Sequence, residues 1–187
     1  TTRQALTMLI MISIAAALFY GFCYASFSVF LGTIVDQLGY TDAQRTAITG
    51  SYPLGLISSC IIAGILFDKF SAKKLFMVFC ILLCSGALLI RGTATAFPVF
   101  YLGMWMFGVS WGFQGVGANK LMGLWFSRKG LNNANALWTA CSPIGQLIGF
   151  NFGYMIVTNV GGWQNLYKIT SVLGIALFVL FIFLVKE

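Results

Sequence analysis

GILFDKFSAKK, residues 64–74, is the stretch on which the fold reading turns. Asp68, Lys69, Lys73 and Lys74 crowd into it, between two long apolar runs that leave room only for a short hairpin. It is the most charged turn in a chain of 187 residues that is 59% hydrophobic and 8% charged. A soluble domain of that length could not hide so much apolar surface, so lipid is the solvent for most of it. Lys and Arg collect in the short cytoplasmic loops of membrane proteins, which puts this turn on the cytoplasmic side.

Working outward, the apolar runs predict an all-α integral membrane protein with six transmembrane helices, at about 6–35, 46–67, 75–90, 97–126, 133–157 and 166–185. The first is longer than a bilayer core requires, so it tilts or projects. Thr41 or Asp42 is placed to cap the second helix. Ser51, Gly55, Ser59 and Ala63 recur every four residues along that helix as a face for close approach, and Pro53 falls near its predicted start. Arg91 caps the outer end of the third. Five glycines between Gly103 and Gly117 mark the fourth as a tight contact or a cavity wall, and Trp125 anchors its end. Gly145, Gly149 and Gly153 share a stripe with Cys141 on the fifth, which Pro143 bends.

Basic residues set the orientation. Arg3, Lys69, Lys73, Lys74, Arg128, Lys129 and Lys186 fall on one side, against Arg45, Arg91 and Lys168 on the other, so both termini face the cytoplasm. No cleavable signal peptide is evident. The net charge of +7 is spread over loop ends rather than along one face, which argues for topology and against nucleic acid. Cys23, Cys60, Cys80, Cys84 and Cys141 lie inside spans as apolar packing. With no His in the chain and no acid near the thiols, neither a metal nor another cofactor is expected. No nucleophile–base pair or phosphate-binding loop suggests an enzyme.

The turn also carries a family pattern. Gly64, Leu66, Asp68, Lys69 and Lys73 match Gly-x-Leu-x-Asp-Lys/Arg-x-Gly-x-Lys/Arg, the loop between the second and third helices of the major facilitator superfamily. Ser71 stands at the glycine position, where a positive-φ turn would suit it poorly, and Ala72 where a basic residue is common. The chain resembles the N-terminal six-helix half of such a transporter. That implies a secondary transporter, symporter or antiporter, moving a small solute by alternating access in a multi-pass cell membrane, the inner membrane if the source is bacterial. It implies as partners, beside lipid and substrate, a C-terminal six-helix half or a second copy. The chain starts at Thr1 without Met and stops just past an apolar run, as a piece of a longer protein would. The resemblance also gives Gly64, Asp68, Lys69 and Lys73 a gating role, with Asp68 holding the cytoplasmic side closed against a helix end and a basic residue across the halves. It sends a Gly-rich, Pro-bent fifth helix across the midline. A non-transporting accessory or sensor subunit on the same fold is the alternative.

Candidate substrate contacts follow from polar groups at membrane depth. Lys120 reads as the one charge well inside a span, roughly 9 Å from the helix end at 1.5 Å per residue, and would favour an organic anion. Snorkelling of its stem to the interface, or pairing with an acid of the other half, are its other readings. Asn119 beside it and Gln114 add amides on the fourth helix. Tyr20 and Tyr24, spaced i, i+4, either line a cavity or pack within the bundle. Trp138, Ser142 and Gln146 form the face of the fifth helix opposite its glycines. In the family the first, fourth and fifth helices contribute to the central cavity.

Overall fold

The computed structural model describes residues 2–185, so Lys186, counted above with the inner basic residues, lies outside the described residues. The described residues are all-helical and form six long helical rods. Helix one joins Thr2–Ala15, a π-helical segment Ala16–Cys23, and Tyr24–Leu38. Helix two is Asp42–Lys69; helix three joins Ala72–Leu75, a second π segment Phe76–Leu82, and Leu83–Thr93. Helices four, five and six are Phe97–Trp125, Arg128–Asn159 and Trp163–Leu184. The ends of the six helices fall within five residues of the boundaries expected from sequence, the largest difference being the start of helix five at Arg128. Helices one, two, three and six are long and apolar enough to cross a membrane by composition. Helices four and five are as long, but glycines and amides dilute their apolar character.

The turns explain where helices start and stop. Helix one ends at Gly39, whose φ of 66° is the left-handed conformation glycine tolerates, and the chain closes with Tyr40 N–H donating to Val35 O at 3.0 Å. Thr41 then caps helix two in a reciprocal box: Gln44 N–H donates to Thr41 Oγ1 (3.3 Å) and Thr41 N–H to Gln44 Oε1 (2.9 Å). That early start puts Pro53 well inside helix two rather than near its start. In the charged turn, Ser71 has φ −54°, so no positive-φ turn exists for it to disturb. Its side chain instead accepts from Lys74 N–H at 3.2 Å, capping helix three.

Small residues let the rods touch backbone to backbone, which is how helices associate where lipid removes the hydrophobic drive. Ser51, Gly55, Ser59 and Ala63 are buried against helix four, as their spacing predicts. A Cβ on Gly55 would collide with the backbone of Trp105 and Val109; one on Gly108 or Gly112 would strike helix two at Tyr52, Leu56 and Ser59. Helices three and six are tied by Ser171 Oγ donating to Ser85 O at 2.7 Å.

The glycines of helix five pack against helix one within this bundle. Gly145 and Gly149 seat on helix one at Ala17, Phe22 and Ala25, and Gly21 returns the approach, its missing Cβ pointing at Gly145 Cα, 2.7 Å away. Around the outside, side chains such as Ile61 (75% exposed), Phe183 (74%) and Leu147 (66%) present an apolar surface suited to lipid or a partner. Cys23, Cys80 and Cys84 are buried in the core as expected, whereas Cys60 is exposed and Cys141 only partly covered.

Candidate functional site

At the inner end, helix two carries Asp68 to its last turn and helix four brings Lys120 beside it. Lys120 Nζ donates to Asp68 Oδ1 at 2.6 Å, with the side chains 42% and 75% exposed. Lys120 therefore finds its acid within this half, about one and a half turns from the end of helix four, rather than standing as an isolated charge at depth. The charged turn makes a second tie: Lys73 Nζ donates to Ile182 O at 3.2 Å, near the end of helix six, where cations suit the carbonyl end of the helix. Lys69 is exposed at the end of helix two, and Gly64 has open space where a Cβ would go.

Midway along the bundle, Tyr24 meets two aromatic residues that the sequence reading passed over. Its ring centroid lies 5.3 Å from Tyr52 of helix two and 5.6 Å from Trp111 of helix four, and Tyr52 and Trp111 are 5.2 Å apart. All three are partly exposed. A signal for Trp111 was available: it lies one turn before Gln114. The contact of Gly21 with the backbone of Ser142 and Gln146 sets helix five alongside the same part of helix one. Gln146 and Trp138 are half-buried there, and Trp138 Nε1 donates to Asn135 Oδ1 at 3.3 Å. Asn119 is exposed, its Nδ2 bonded to Gly115 O at 2.8 Å. Lys120 lies nine residues past Trp111, about 14 Å along helix four, so it does not join the aromatic cluster.

Two of the expected contacts sit behind this face rather than on it. Tyr20 has no exposure: its hydroxyl donates to Cys80 O at 3.0 Å and shares a 2.5 Å hydrogen bond with Ser110 Oγ. The hydroxyl thus bridges the π segments of helices one and three. Gln114 is 2% exposed, with its Nε2 unpartnered.

The charge sealed inside the bundle is Arg91, not Lys120. It caps nothing: its exposure is 0%, and its guanidinium carbon lies 4.1 to 5.7 Å from the ring centroids of Phe27, Phe100, Phe107 and Tyr167. Nη2 donates to Tyr167 Oη at 2.6 Å, while Nε and Nη1 have no partner.

The fold is that of known transporters. Two crystal structures of a bacterial homologue of the human lysosomal transporter Spinster superpose on the whole chain. The inward-facing, occupied one gives a TM-score of 0.89 and the inward-facing, unoccupied one 0.88, both at 15% identity. The chain spans 45% and 44% of their lengths, about half of that fold. None of the curated proteins compared with it matches. The model of the Major Facilitator Superfamily matches residues 13–187, nearly the whole chain, and this protein belongs to that family.

Proposed function

We propose that this chain is the N-terminal half of a secondary transporter that moves a small solute through a cell membrane by alternating access. A complementary six-helix half, or a second copy, closes the site from the other side. The observation that carries the reading is the set of partly or fully exposed polar and aromatic side chains on helices one, two, four and five, among them Tyr24, Tyr52, Asn119, Trp138 and Gln146. Polar groups there face a cavity or a partner in preference to lipid. Tyr20 and Gln114 back this face. The Asp68–Lys120 pair, with Lys69, Lys73 and Gly64 around the turn, is the inner gate: a contact in water-accessible surroundings can break and re-form as the halves rock.

An organic anion is the substrate class we favour, because Lys120 is the one cation among these contacts and becomes available whenever Asp68 releases it. Separate variants distinguish substrate binding from gating. With the full-length protein in proteoliposomes, Asp68→Asn frees Lys120 and retains saturable uptake of a labelled anion, while Lys120→Ala loses it. Equal loss in both variants would confine Lys120 to the gate. No uptake from any class of a solute panel would overturn transport itself and favour the accessory reading.

A further inference from the structure

Among the described residues Arg91 has no counter-charge. The chain holds four acids. Asp68 is taken by Lys120, and Asp36 and Asp42 are exposed near the loop after helix one. Among the described residues no ion pair involves Arg91. Arginine does not shed its proton in proteins, so unlike a buried lysine it cannot become neutral. Ring faces offset part of the charge, but less than removal from water costs a lone ion.

The hydrogen bonds point the same way. Nε and Nη1 are donors without acceptors. Tyr167 Oη accepts from Nη2, and the described residues offer no acceptor for the phenol's own proton. The neighbouring Thr170 Oγ is turned back onto the carbonyls of Leu166 and Tyr167. What surrounds the guanidinium is therefore rich in donors and poor in acceptors, and a donor-only set calls for an acceptor-only guest.

We propose that Arg91 and Tyr167 hold a small inorganic anion of halide size, enclosed between helices one, three, four and six. Complete burial of Arg91 and Tyr167 excludes a large guest. Phe27, Phe100, Phe107 and Tyr167 stack around the guanidinium, and Trp163 covers Phe100 and Tyr167 at 5.9 and 6.0 Å. Trp163 is itself fixed by its Nε1, which donates to Gln37 Oε1 at 2.7 Å and joins the start of helix six to the end of helix one. A Cβ on Gly103 would lie 2.8 Å from the Arg91 Cγ, so the stem has no slack. With both Arg91 and Tyr167 at 1% exposure or less, neither the transported solute nor the other half reaches them. A water would complete the hydrogen bonds but leave the charge; a halide does both. The site is separate from the one proposed for transport, although Phe107 touches both, packing on Tyr52 and Trp111 at 6.0 and 6.4 Å.

The test is thermal unfolding of the full-length protein in detergent, titrated with sodium bromide or chloride against sodium gluconate at matched ionic strength. A ligand of the folded state raises the melting temperature as it saturates. Halide is expected to stabilise beyond gluconate, Arg91→Gln to abolish the difference, and Tyr167→Phe to weaken the apparent halide affinity roughly 10-fold while leaving the guanidinium in place. Identical melting in halide and gluconate would overturn the proposal and leave the position to water. So would a full halide response in Arg91→Gln. If Arg91→Gln does not fold, Tyr167→Phe decides alone, an unchanged halide response counting against the site.

Discussion

The two ends of the bundle handle positive charge in opposite ways. At the inner end, Lys120 meets a carboxylate at 2.6 Å in surroundings open enough for water to replace either partner. Toward the outer end, Arg91 meets only a phenol and ring faces, and nothing of it is exposed. An exposed pair is worth little because each ion is nearly as well off apart. A sealed cation is costly to form and costly to disturb. The inner contact thus suits a step that opens and closes, and the outer one suits a part that keeps its shape: from helix three, Arg91 ties helices one, four and six together.

The contrast can be broken by measurement. Arg91→Ala empties a packed position and strands Tyr167, and is expected to lose about 3 kcal/mol of stability. Arg91→Met, which keeps volume and removes the charge, should stay within about 1.5 kcal/mol. Denaturant or thermal unfolding in detergent reads both, and a mild Arg91→Ala would erase the distinction between the ends. Thr41→Ala, which removes the cap of helix two, is expected to cost about 1 kcal/mol in the same assay. Asp68→Asn should fall below ~1 kcal/mol, yet raise thiol labelling of a cysteine placed at Asn119 as the inner side opens more often. Sodium gluconate should mimic that opening in the wild type, since salt screens an exposed pair and not a sealed cation. Lys73→Ala, which gives up one hydrogen bond at the end of helix six, is the smallest effect at about 0.5 kcal/mol.

Much of this was legible in the sequence, and the misses have physical reasons. Apolar runs and loop charge gave the helices, because length and the positive-inside bias act locally along the chain. The four-spaced small residues of helix two revealed a contact face, and helix four is what fills it. For helix five the same kind of spacing announced close packing but could not say against which neighbour. Arg91 was misread because position along a helix gives depth, not direction: two residues from the end of helix three, it turns inward instead of reaching for water. Tyr20 and Tyr24 were paired on an α-helical spacing, but a π segment runs through Tyr20 and widens the turn, so one ring is sealed and the other half-open. Ser71 looked like a defect against the family pattern because glycine's role was assumed to be conformational. At φ −54° the position needs no glycine, and a hydroxyl caps there.

The meeting of Gly21 with Gly145 bears on how such a chain can drift. A fold shared at 15% identity has nearly every side chain open to replacement. Here two helices touch at a point where neither has a side chain to trade, so no compensating swap of large for small exists between them. A change at either position has to move a whole helix, and sequence variation is pushed elsewhere, onto surfaces where no backbone is pressed against another.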